Sequence, residues 1–181
     1  MKFLTFIPIV FTCCTTAQNF SAPFDVEAYL GKWYQVYSDL FVQNSFEKGA
    51  KCVKAFYDTF EPGGSIIEIY NEQIAPNTKI ESIEGYGYIP NAEEPRKLKV
   101  VLDQKKEADY WIYELSEIVK EEYQWAVVSD KYKLSLFVLA RNVDEFHSIY
   151  NDKVLQILKD YGFTRIWNKP IETIQDCSYY V

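Results

Sequence analysis

The sequence predicts an all-β fold: an eight-stranded antiparallel up-and-down barrel with one C-terminal helix packed outside. Three observations predict it. Between residues 31 and 140 apolar and polar residues alternate at period two in short runs separated by turn residues. Gly31-Lys32-Trp33-Tyr34 opens the first run and Leu139-Ala140-Arg141-Asn142 closes the last, so a glycine, an indole and a guanidinium stand where one end of a barrel can be sealed. Apolar spacing then switches from two to three and four, from Phe146 to Tyr161.

In chain order, Met1 to Phe11 carries one lysine ahead of an apolar run too short to anchor in a bilayer, the pattern of a secretory signal. Thr15 and Ala17 suit cleavage before Gln18, which predicts a signal peptide over 1–17 and a single domain over 18–181. A lipidation signal at Cys13 is the competing reading, and Phe11-Thr12 fits it poorly. Asn19-Phe20-Ser21 is a glycosylation sequon at the start of the mature chain.

Strands are predicted over residues 31–41, 50–60, 65–75, 79–89, 97–103, 110–115, 123–128 and 134–140. In the second, Val53, Ala55 and Tyr57 face opposite to Lys54 and Asp58. Glu61-Pro62-Gly63-Gly64 is a turn. In the fourth, Ile83, Gly85, Gly87 and Ile89 oppose Ser82, Glu84, Tyr86 and Tyr88, and the two glycines leave interior space or let the strand bend. Leu98, Val100 and Leu102 alternate with lysines and Asp103. Glu114 implies that Trp111, Tyr113 and Leu115 point inward, and a tight turn at Asp130-Lys131 joins the last two strands. The helix has Asn142 and Glu145 at N-cap and N3, packs through Phe146, Ile149, Tyr150, Val154, Ile157 and Tyr161, and ends at Gly162. Regular strands with short links favour the up-and-down barrel.

Composition narrows the function. Aromatic residues reach 17%, with 15 Tyr and 12 Phe, which suits strands and a lined pocket. The net charge of −7, near −8 once the leader and its one lysine are gone, disfavours nucleic acid and anionic membranes as partners. No later segment is apolar enough to cross a membrane. His147 is the single histidine, and no metal-binding CxxC, nucleophile elbow or phosphate-cradling loop occurs, so no metal, cofactor or catalytic residue is expected. Of four cysteines, Cys52 and Cys177 remain after cleavage. An even pair in an oxidising compartment suits a disulfide that pins the tail to an early strand; two free thiols are the rival.

Tyr29 to Val36, Lys51 to Tyr57, Ile83-Glu84-Gly85, Tyr110-Trp111-Ile112 and Phe137 to Asn142 together resemble the lipocalin family, in its apolipoprotein D and bacterial outer-membrane branch. The resemblance covers nearly the whole mature chain, and the placement of Cys52 and Cys177 is similar to the barrel-to-tail disulfide of that branch. Lys120-Glu121-Glu122 departs from the Thr-Asp-Tyr type of segment found there in many members. The resemblance implies a secreted carrier of a small hydrophobic ligand such as a lipid, fatty acid or steroid. Expected ligand contacts are Val53, Ala55, Tyr57, Ile83, Leu98, Val100, Trp111, Tyr113, Trp125 and Val127, with Gly31, Trp33 and Arg141 holding the structural end. Two alternatives remain: an interaction or inhibitor protein that uses the loops at the barrel mouth, where Phe41 to Lys48 form a lid, and a lipid isomerase that needs a free Cys52 in the cavity.

Overall fold

In a computed structural model, residues 18–59, 64–103 and 106–177 are described. The proposed signal segment, and Glu61 to Gly63 of the predicted turn, lie outside the described residues. A single helical turn, α1 (Val26–Tyr29), starts at Asp25, whose Oδ1 accepts from the Ala28 N–H, and leads into β1 (Gly31–Ser38). The first predicted strand stops at Ser38, and a short helix, α2 (Leu40–Ser45), takes its last two residues, because Asp39 caps it by accepting from the Val42 N–H at 2.9 Å. There follow β2 (Lys51–Thr59), β3 (Ile66–Ile74), β4 (Ile80–Tyr88), β5 (Lys97–Leu102) and β6 (Ala108–Leu115). A small hairpin, β7 (Ile118–Val119) and β8 (Glu122–Tyr123), precedes β9 (Trp125–Ser129) and β10 (Leu136–Ala140).

Strands β1 to β6, β9 and β10 each pair antiparallel with the next, and β10 returns to β1, which closes an eight-stranded barrel. An additional strand, β11 (Ile171–Glu172), pairs with β1 outside that circle. Closure leaves no continuous edge strand to template aggregation. The pairing shifts register at three places: Gln35 to Tyr37, Lys51 to Lys54 and Ile112 to Glu114. Each bulge reverses the phase of inward and outward side chains beyond it.

The reversal on β6 corrects the inward assignment of Trp111 and Tyr113. Tyr110, Ile112 and Leu115 belong to the barrel interior, whereas Tyr113 lies outside the wall and Trp111 packs beside it. On β9 every residue is buried, Ala126 and Val128 inside and Trp125 and Val127 outside. The helix is what covers the outside. It runs as α3 (Val143–Glu145), a π-helical turn from Phe146 to Tyr150, and α4 (Asn151–Asp160). Asn142 caps it as expected, its Oδ1 accepting from the Glu145 N–H at 3.0 Å. The wider π turn changes the packing face. Phe146, Val154, Leu158 and Tyr161 are buried against Val36, Tyr113, Trp125, Val127 and Val138, while Ile149, expected on that face, is 64% exposed.

One end of the barrel is sealed from residues far apart in sequence. Gly31 holds φ +92°, and a Cβ there would stand 3.2 Å from Arg141 Nη1. The Arg141 guanidinium lies 3.9 Å from the Trp33 ring centroid. Its Nε donates to the Tyr123 carbonyl, Nη1 to Lys32, and Nη2 to Ala28 and Leu30. Trp33 Nε1 donates to the Tyr29 carbonyl at 2.8 Å, so the indole is buried and satisfied. The Lys120-Glu121 departure forms the β7–β8 turn beside this end, both residues at positive φ, 51° and 69°.

Candidate ligand-binding site

The interior of the barrel is aromatic and aliphatic. Trp33 and Tyr29 form its floor, and Ala55, Tyr57, Ile67, Ile69, Leu98 and Ile112 line the wall above. Their alternation with Lys54, Asp58, Glu68 and Lys99 follows from the pleat: one face of each strand meets the interior and the other meets water. A small internal cavity, about 10 Å³, is bounded by Tyr29, Tyr57, Ile67, Ile69, Gly87, Leu98, Val100 and Tyr110. That is room for about one water, so a larger guest must displace side chains. Gly85, one of the two expected to leave space, instead marks a close approach of strands: a Cβ would fall 2.0 Å from the Val101 carbonyl oxygen.

Of the ten residues expected to contact a ligand, Tyr57, Leu98 and Val100 border the cavity and Ala55 lies in the same interior cluster. Val53 is buried beside the β2 bulge, its carbonyl accepting from Gln175 Nε2 at 2.9 Å. Ile83, on the same face of β4 as Gly85 and Gly87, borders a second, open concavity of about 770 Å³ together with Glu68, Glu84, Tyr86 and Val101 of β3 to β5. Tyr113, Trp125 and Val127 belong to the cluster under the helix, and Trp111 packs at its margin against Phe20 and Lys97. Tyr29, Tyr110, Ile67 and Ile69 complete the cavity without having been singled out. Tyr110 stands two residues from Ile112 and shares its inward phase, a signal present in the sequence but opposite to the phase that Glu114 sets beyond the bulge.

Three phenols meet inside this cavity. Tyr110 Oη is 2.7 Å from Tyr29 Oη and 2.9 Å from Tyr57 Oη. Burial away from water pushes all three up, Tyr57 to about 12, so they are neutral hydroxyls at physiological pH. Nearer the mouth, Asn71 buries its Oδ1 without a hydrogen-bond partner among the described residues.

The mouth is bordered by α2 and a polar cluster. Gln35 Nε2 donates to Glu47 Oε2 at 2.6 Å and to Thr173 Oγ1 at 3.1 Å. Burial pushes the Glu47 carboxyl up to about 7 and Asp39 up to about 6; Asp39 adds to the shift of Glu47, and Asp130 to that of Asp39. Leu40, Phe41 and Phe46 are exposed here, and Phe46 stacks on Phe137. A C-terminal strap reaches the same end: Cys52 and Cys177 form a disulfide, Cys52 N–H donates to Ile174, and Gln175 Nε2 donates to the Gln35 and Val53 carbonyls. Cys52 thus has no free thiol. His147 is exposed on the helix, 3.8 Å from a Glu172 carboxylate oxygen, and no group of three metal-ligating side chains occurs among the described residues.

The Lipocalin-like domain family matches residues 24–170. The chain belongs to the lipocalin family. Apolipoprotein D of Mus musculus is 37% identical over 90 residues, 49% of this chain and 44% of the relative. Apolipoprotein D of Oryctolagus cuniculus is 38% identical over the same length. The match therefore spans less than half the length of these relatives. Among solved structures, H1 crustacyanin from the lobster Homarus americanus superposes with a TM-score of 0.61 at 21% identity, covering 87% of this chain and 82% of that one. Japanin from Rhipicephalus appendiculatus, solved bound to cholesterol, gives 0.56 at 16% identity, covering 85% and 98%. At such identities the superpositions establish the fold. In this lipocalin the barrel is closed by the Trp33–Arg141 stack and the tail is bonded to β2 through Cys52. No helix among the described residues is long and apolar enough to cross a membrane.

Proposed function

We propose that this lipocalin is a secreted carrier that holds one small hydrophobic molecule inside the barrel. The observation that carries the reading is the interior itself: a sealed floor, walls of aromatic and aliphatic side chains, and an internal cavity already bounded by Tyr57, Leu98 and Val100. Burying a few hundred Å² of ligand surface at roughly 25 cal/mol per Å² offsets the cost of association and of side-chain rearrangement sufficiently for micromolar binding. Japanin's cholesterol and the tryptamine of the Rhodnius prolixus amine-binding protein, a neighbour at TM-score 0.52, indicate the size class. The leader, the Cys52–Cys177 disulfide and the exposed sequon at Asn19 support secretion, with Asn19 glycosylated in a eukaryotic host. The isomerase alternative loses its nucleophile, since Cys52 is bonded to Cys177.

The test is mass spectrometry of organic extracts from protein purified out of a secreting host. A hydrophobic compound at about one per chain supports the carrier reading. A second reading, an interaction protein that uses the mouth, is favoured by the small size of the cavity and by the exposed Leu40, Phe41 and Phe46. It gains if extracts are empty and the apolar dye 1-anilinonaphthalene-8-sulfonate binds only weakly and is not displaced by lipids.

A further inference from the structure

We propose that Tyr29, Tyr57 and Tyr110 form a hydrogen-bond-donating cluster, at and just above the floor, that selects ligands presenting a neutral acceptor oxygen, a ketone, ester or alcohol, to the lower part of the barrel. This deepens the carrier reading and rests on it.

Three phenols supply three O–H donors, and two contacts, at 2.7 Å and 2.9 Å through Tyr110, join them. Whichever way the hydroxyls turn, two protons lie in those bonds and one does not. The remaining side chains around the cavity, Ile67, Ile69, Leu98 and Val100, carry no acceptor, and Gly87 carries no side chain. The third donor therefore has no side-chain acceptor in the lining of the cavity, and an oxygen on the guest supplies one.

The same surroundings set the charge of the guest. The phenols are held neutral by burial and so act as donors. The nearby cation, Arg141, already directs its Nε, Nη1 and Nη2 to four backbone carbonyls and stacks on Trp33. A carboxylate brought to the floor would therefore be buried without a counter-ion, whereas a neutral oxygen meets a ready donor. The site thus favours a guest that enters with its polar end foremost and leaves its hydrocarbon toward the mouth.

Any one phenol is dispensable on this account. Removing Tyr57 leaves two hydroxyls, one bond and still one spare O–H; removing all three leaves none. The experiment measures affinities of 2-undecanone and undecane, by quenching of tryptophan fluorescence, for the natural protein, Tyr57→Phe and the triple variant Tyr29→Phe, Tyr57→Phe, Tyr110→Phe. The ketone-to-alkane affinity ratio is expected to fall about fivefold to tenfold in the triple variant and by less than half that in Tyr57→Phe. Carbonyl-labelled 2-undecanone bound to the natural protein gives a second readout that needs no variant: its infrared C=O stretch is expected below its position in hexane. A ratio unchanged in the triple variant, or a bound carbonyl absorbing as in hexane, overturns the proposal and leaves the carrier reading standing. Binding of neither probe to the natural protein overturns both.

Discussion

Arg141 shows how one side chain closes the barrel. It follows β10, lies over Trp33, and bonds carbonyls from α1, from β1 and from Tyr123, so it ties together segments more than a hundred residues apart. Arg141→Ala removes the stack and leaves those carbonyls without their donor. The expected loss is about 2 kcal/mol in urea unfolding, with ligand affinity changed less than about twofold because the guanidinium stands behind the floor. A large loss of affinity at constant stability would place Arg141 in the ligand site instead. Gly85 is the opposite case, a residue defined by the side chain it lacks. With the Val101 oxygen 2.0 Å from the position of a Cβ, Gly85→Ala must push β4 from β5, and a loss of about 3 kcal/mol or more is expected by thermal and denaturant unfolding.

At the scale of elements, turns and helix ends decide local order. The β7–β8 turn holds Lys120 and Glu121 at φ 51° and 69°, a geometry suited to Asn-Gly. Lys120→Asn with Glu121→Gly should raise stability by about 1 kcal/mol, read as a higher urea midpoint at unchanged slope. Helix α2 carries a pH response through the carboxylates beside it. Folding raises Glu47 from its ordinary 4.5 to about 7, so the folded state binds the proton more tightly than the unfolded chain. Its contribution is complete below about pH 4.5 and is lost as pH rises through about 7. For a half-buried carboxyl that is on the order of 1–2 kcal/mol after allowance for solvent. The Tm should rise on acidification from pH 7.5 to 5.5, and Glu47→Gln should flatten that part of the profile. The eight barrel strands and the helix were legible in the sequence because most strands have one wet face and most turns their own chemistry, whereas α1, α2, the β7–β8 hairpin and β11 are too short to show a period. Side-chain direction was not legible on β6, where the bulge at Ile112 to Glu114 inverts the phase, nor on β9, where burial of both faces erases alternation. That is why Trp111, Tyr113, Trp125 and Val127 read as interior and pack instead in or against the cluster outside the wall.

For the whole molecule, the two ends of the barrel are built by different means. The floor is made by packing, and the mouth half of the wall is completed by the C-terminal tail. Strand β1 pairs with β2 only from Gly31 to Tyr34. Beyond that point the strap takes over beside β1: β11 pairs with Tyr37 and Ser38, and the Thr173 N–H donates to Val36. Cys52, at φ 59° within the β2 bulge, donates its N–H to Ile174 and bonds to Cys177, 125 residues away in sequence. The strap has little apolar burial of its own, so its attachment depends on those few hydrogen bonds and the covalent link. Cys52→Ser with Cys177→Ser is therefore expected to act locally as well as globally. Global stability should fall by about 2–4 kcal/mol, since a long loop is no longer closed in the unfolded chain. Amide exchange should accelerate first at Cys52, Thr173 and neighbouring strap residues, while amides of Trp33 and Leu139 near the floor exchange only with global unfolding. If strap and floor amides accelerated together, the two ends would form one cooperative unit and the tail would hold the entire barrel rather than its mouth.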